Sequence, residues 1–110
     1  VPNKKGKPMR RLIFTALSTL LSISTFAQDF TLSGYLRDAS TGEELLYATV
    51  SVEGTSQGVT TNLYGFYSLT LPKGSYQINF SYVGYETKTL SIDLTENITK
   101  DIELATASTN

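Results

Sequence analysis

The 110-residue chain has no cysteine, no histidine and no tryptophan, one methionine and three prolines. Each absence removes a class of chemistry. Without Cys there is no disulfide framework, no thiolate nucleophile and no haem attachment. Without Cys or His there is no zinc site of the usual kind and no Ser-His-Asp triad. No run resembles the Asp-x-Asp-x-Asp-Gly calcium loop. Adjacent Glu43 and Glu44 point to opposite faces of an extended chain, which makes them poor partners for shared acid–base work. A Lys–Asn isopeptide crosslink is also not expected, because the first strand offers Arg37, which does not deprotonate, and Lys73 falls in a turn. The expectation is a protein that is not an enzyme, with no catalytic residues, no cofactor and no metal.

Charge is segregated along the chain, and acid is missing altogether from its first part. Residues 1–27 carry Lys4, Lys5, Lys7, Arg10 and Arg11 and no acid. Residues 28–110 carry four bases and all ten acids, a surplus of six negative charges. That surface repels phosphate, and nucleic acid is not an expected partner. The basic head precedes an uncharged run at residues 12–26 (LIFTALSTLLSISTF), with small residues at Thr25 and Ala27. This is the pattern of a signal peptide, with cleavage expected after Ala27 and the true start placed at Met9. The run is short of the about 20 residues that span a bilayer. Within this chain, contact with a membrane is therefore expected only through the signal peptide. The mature part is expected to be exported from the cytoplasm.

From residue 28 onward a helical period is lacking and the period is two. Phe30, Leu32, Gly34 and Leu36 alternate with polar residues. So do Ala48, Val50 and Val52; Tyr76, Ile78, Phe80 and Tyr82; and Leu90, Ile92 and Leu94, while Tyr67, Leu69 and Leu71 alternate with Phe66, Ser68 and Thr70. Ile98, Ile102 and Leu104 share a parity, with Lys100 the polar exception, and a short strand is expected around residues 59–62. Each run reads as a strand with one buried face. Gly, Asn and Pro punctuate them, including Pro72 and Gly74, where Pro presets φ and Gly is expected at positive φ. Seven short strands separated by turns predict an all-β, antiparallel β-sandwich over residues 28–104. Residues 105–110 read as the start of a linker.

The runs 54–69 (GTSQGVTTNLYGFYSL) and 71–87 (LPKGSYQINFSYVGYET), with GYLRD at 34–38, TGEEL at 41–45 and ATV at 48–50, resemble the carboxypeptidase regulatory-like domain. The resemblance covers roughly residues 30–104 and implies a seven-stranded, transthyretin-like sandwich whose motif residues are mostly structural. The SYVGY variant at 81–85 is similar to the copy found at the N-terminus of TonB-dependent outer-membrane receptors. There it follows the signal peptide and precedes a plug and a barrel. The resemblance implies a non-catalytic periplasmic accessory domain of a nutrient-uptake receptor, here as a fragment lacking plug and barrel. Its partners would be the parent plug and barrel and a periplasmic protein. Where related domains carry a Pro in the turn after the first strand, this chain has Glu43, Glu44, Leu45 and Leu46. The alternative is a free-standing secreted carbohydrate- or protein-binding module. On either reading Tyr47, Tyr64, Phe66 and Tyr85 are the candidate partner-binding surface, an aromatic platform for a glycan or a peptide strand. The competing structural role for these rings is cross-strand packing.

Overall fold

Alternation of apolar and polar side chains makes each run extended, because only a strand sends successive residues to opposite faces. The computed structural model describes residues 28–108, so the expected signal peptide and Met9 start lie outside the described residues. It contains β1 (Asp29–Asp38), β2 (Thr49–Val52), β3 (Gly58–Thr60), β4 (Phe66–Pro72), β5 (Gly74–Ser81), β6 (Lys88–Leu94), β7 (Ile98–Thr99) and β8 (Ile102–Leu104). One sheet has the order β4-β1-β7, with β8 also paired to β1; the other is β3-β2-β5-β6.

The inward parities hold along every long run. Leu32, Leu36, Tyr67, Leu69 and Leu71 from one sheet meet Val50, Val52, Ile78, Phe80, Ile92 and Leu94 from the other, and Ile102 and Leu104 close the side. Tyr67 and Phe80 cross between the layers edge to face, with ring centroids 5.5 Å apart. Phe30, Tyr76, Tyr82, Leu90 and Ile98 pack half-buried around this core.

Three expectations need correction. The described residues hold eight strands rather than seven, because the last run is broken into β7 and β8. The sandwich is not purely antiparallel: β7 and β8 both run parallel to β1. The chain leaves β6, crosses to the other sheet and re-enters beside the start of β1, pointing the same way; alternation reports which face is buried but not strand direction. Finally, Gly74 is not among the residues with positive φ. It already pairs with Leu94 as the first residue of β5, so Lys73 alone makes the turn.

The break between β7 and β8 has a local cause. Leu32 pairs with Ile98 and Leu36 with Ile102, so the register is unchanged across the gap. Between them the backbone of Lys100 dips onto Gly34, where a Cβ would stand 2.0 Å from the Lys100 carbonyl oxygen. Only glycine allows this approach. The freed backbone groups find new partners. The Lys100 N–H donates to the Ser33 carbonyl (2.7 Å), the Tyr67 hydroxyl donates to the Lys100 carbonyl (2.6 Å), and the Tyr35 N–H donates to the Asp101 carboxylate (3.0 Å). Lys100 keeps the inward parity but remains exposed for this reason.

Topology sorts the connections onto two ends. The β1–β2, β3–β4 and β5–β6 loops lie at the end where β1 and β8 finish. The β2–β3 loop, Lys73 and the β6–β7 connection lie at the other.

Candidate functional site

The first end, called here the loop end, is built on two buried polar anchors. Thr61, on the β3–β4 connection, is 1% exposed. Its hydroxyl donates to the Leu45 carbonyl (2.6 Å) and accepts from the Ala48 N–H (2.9 Å), and the Tyr47 N–H donates to the Thr61 carbonyl (3.1 Å). These bonds fix the loop that carries Tyr47. Asp38, the last residue of β1, falls on the inward parity and is 6% exposed. One carboxylate oxygen accepts from the Ser40 N–H (2.7 Å), the Ser40 hydroxyl (2.7 Å) and the Thr41 N–H (3.0 Å). The other accepts from the Tyr85 hydroxyl (2.6 Å), which belongs to the β5–β6 loop. The bond from Tyr85, then those from the Ser40 hydroxyl, Ser40 N–H and Thr41 N–H, hold the Asp38 carboxyl well below the usual carboxylate range. The same bond, followed by desolvation, pushes the Tyr85 phenol up to about 12.

The four candidate aromatics therefore stand in different settings. Tyr47 and Tyr64 are exposed. Tyr85 is half-buried, bonded to Asp38 and packed on Tyr82 at 5.6 Å. Phe66 sits on the outer face of β4, edge to face with Tyr35 at 5.2 Å, and the Arg37 guanidinium lies 4.9 Å from the Tyr35 ring centre. The rings share one end of the sandwich, but they do not form a single flat platform. Two exposed apolar residues join them there, Leu63 and Val83. Both lie in turns, Leu63 between Asn62 and Gly65 and Val83 beside Gly84. An apolar residue at a turn tip is the one signal in the sequence that could have marked them. Tyr47 and Val83, with Thr49, Ser81 and Tyr82, line a shallow depression of about 340 Å³.

Tyr47 has φ 58°, the only described non-glycine residue at positive φ. That backbone region costs an L-residue roughly 1–2 kcal/mol. Residues 105–107 fold back against the same end. The Glu86 N–H donates to the Ala105 carbonyl (2.8 Å), the Ala107 N–H donates to the Gly84 carbonyl (2.9 Å), and Tyr85 bridges Thr106.

At this end the Asp38 carboxylate and the Tyr85 hydroxyl are bonded to each other and to the β1–β2 turn. Gly54, Ser56 and Gly58 match the Gly-x-Ser-x-Gly spacing of a nucleophile elbow. They form a loop between two antiparallel strands, not a strand-to-helix turn, and the chain has no histidine to take a proton from Ser56. Among the described residues no three acidic side chains converge as a metal site. Among them too, no helix is long and apolar enough to cross a membrane, a statement that leaves β-barrels aside.

Comparison with known proteins gives this architecture a family. The chain is 33% identical over 96 residues to TonB-dependent receptor SusC of Bacteroides thetaiotaomicron, a match covering 86% of this chain and 9% of that receptor. It is 39% identical over 62 residues to carboxypeptidase D of Anas platyrhynchos, covering 54% of this chain and 4% of that protein. It thus spans a small fraction of either relative. Among solved structures, a DUF3823 family protein from Bacteroides ovatus aligns with a TM-score of 0.52 at 23% identity, over 70% of this chain and 44% of that one, a likeness of fold alone. The family model for the CarboxypepD_reg-like domain matches residues 32–110, and the chain belongs to that family.

Proposed function

We propose that this chain is a non-catalytic accessory domain at the N-terminus of a TonB-dependent outer-membrane receptor, sited in the periplasm and separate from the plug and barrel that carry transport. The observation that carries this reading is the match to a TonB-dependent receptor along 86% of the chain. The geometry agrees with it: the family motifs go into the core, the Gly34 approach and the loop anchors, which leaves the domain a rigid spacer or docking body. Partner binding by strand addition has an available edge in β4, seven residues without a charge at the margin of its sheet.

Two measurements test this. The reading frame should continue beyond residue 110 into a plug and a barrel of tilted, roughly ten-residue strands; a stop or an unrelated continuation removes the reading. In cells carrying the full receptor, a protease should reach this domain only after the outer membrane is permeabilised. Cleavage in intact cells would place it outside and reject the periplasmic site.

A second reading, a free-standing module for glycans, draws support from exposed Tyr47 beside the uncharged residues Thr49 and Ser81, and from exposed Tyr64 at the same end. It requires measurable affinity for a polysaccharide, lost in Tyr64→Ala or Phe66→Ala. Flat titrations across a glycan panel would remove it.

A further inference from the structure

Among the described residues, the exposed large apolar side chains are Tyr47 (63% exposed), Leu63 (61%), Tyr64 (67%) and Val83 (93%), and all four lie at the loop end. They come from three separate connections, β1–β2, β3–β4 and β5–β6. Folding does not require their exposure. Tyr47 is even held out in a strained backbone conformation, and a strained, exposed aromatic is a reason to look for a function. The outer face of the β3-β2-β5-β6 sheet contrasts with this end. On β2, β5 and β6 the outward residues include Thr49, Ser51, Asn79, Gln77, Ser91 and Thr89, with the Gln77 amide donating to the Ser91 hydroxyl and the Thr89 hydroxyl to the Asn79 amide oxygen.

The path of the backbone brings the C-terminal segment to the patch. Residues 105–107 are bonded to Gly84 and Glu86, so the chain leaves the domain beside Val83. A segment attached there meets the loop end before any other surface, at an effective concentration on the order of millimolar for a short tether. At that concentration a modest apolar contact stays engaged. Glu43, Glu44 and Glu86 stand exposed around the patch, so the complementary surface is apolar at its centre and carries Lys or Arg at its rim.

We propose that the loop end, through Tyr47, Leu63, Tyr64 and Val83, is the face on which this domain docks against the part of the same polypeptide that follows residue 110. The proposal rests on the receptor reading above and names the contact within it. Docking in cis gives the domain a fixed orientation relative to the plug and leaves the uncharged β4 edge free for a separate partner.

The test is amide hydrogen exchange on the 110-residue chain and on the full-length receptor in detergent, each as wild type and as the Tyr64→Ser, Val83→Ser double variant. In the wild-type receptor, amides of residues 46–48, 62–65 and 82–85 should exchange at least about tenfold more slowly than in the short chain. Those of residues 53–57 and 95–97, at the opposite end, should not change. The double variant should erase the difference while the short chain unfolds at nearly the same temperature as wild type. A receptor whose loop-end amides exchange as in the short chain overturns the docking face and leaves the receptor reading standing. Protection that survives the double variant, or that appears only when a second protein or a second copy is added, also overturns it. A reading frame that does not lead into a receptor removes both.

Discussion

Asp38 shows how one side chain can hold a loop end together. Its carboxylate accepts three hydrogen bonds from the turn that follows β1 and a fourth from Tyr85, 47 residues away. Its position on the inward parity after Phe30, Leu32, Gly34 and Leu36 makes burial legible from the sequence, and Asp before Ser40 and Thr41 signals a side-chain-capped turn. The phenol that completes the site is not legible, because nothing local connects Asp38 to Tyr85. The depressed carboxyl value sets the pH dependence. An unfolded Asp titrates near about 4; the folded one titrates lower, so its contribution is complete above that value and is lost as pH falls below it toward the folded value. Wild type should therefore melt above Asp38→Asn at pH 5–7, and the gap should narrow steadily between about pH 4 and pH 2. A gap in melting temperature that stays constant over that range would show that the charge is not what stabilises the turn. Tyr85 works in the opposite direction. Its raised phenol favours the fold below about pH 10, and that contribution fades as pH climbs toward about 12.

At the scale of elements, the strands were readable because one face of each is buried and the side-chain period is two. The split of the last run was readable only as an anomaly, Lys100 on an apolar parity. The structure explains it by close approach at Gly34, with Tyr67 serving the displaced Lys100 carbonyl. That hydroxyl is buried, and burial together with the Asp101 charge raises the Tyr67 phenol far above its ordinary value. Tyr67→Phe leaves the Lys100 carbonyl without its donor and should lower stability by about 1–3 kcal/mol. Tyr76→Phe removes a bond of equal length to the Pro72 carbonyl at an exposed site, where water replaces it, and should change stability by less than about 1 kcal/mol. Urea unfolding of the two variants compares them directly, and equal losses would mean the β7–β8 break does not depend on Tyr67.

For the whole molecule, the two sheets are joined at the loop end by residues 105–107, which leave β8 in one sheet and bond to the connection between β5 and β6 in the other. Ending the chain at Leu104 preserves every strand and removes those bonds. Stability should fall by about 1–3 kcal/mol with little change in the denaturant slope. An unchanged midpoint would show that the segment only rests on the surface. Composition alone removed the histidine- and cysteine-dependent chemistries, and alternation alone specified an all-β chain with its inward residues, because both depend on residue identity and on a local two-residue period. The tertiary structure decided the parallel direction of β7 and β8, the pairing of Asp38 with Tyr85, and the gathering of Tyr47, Leu63, Tyr64 and Val83 at one end. Each of these is a contact between segments far apart in the chain, and only the way the two sheets close on a common core brings those segments together.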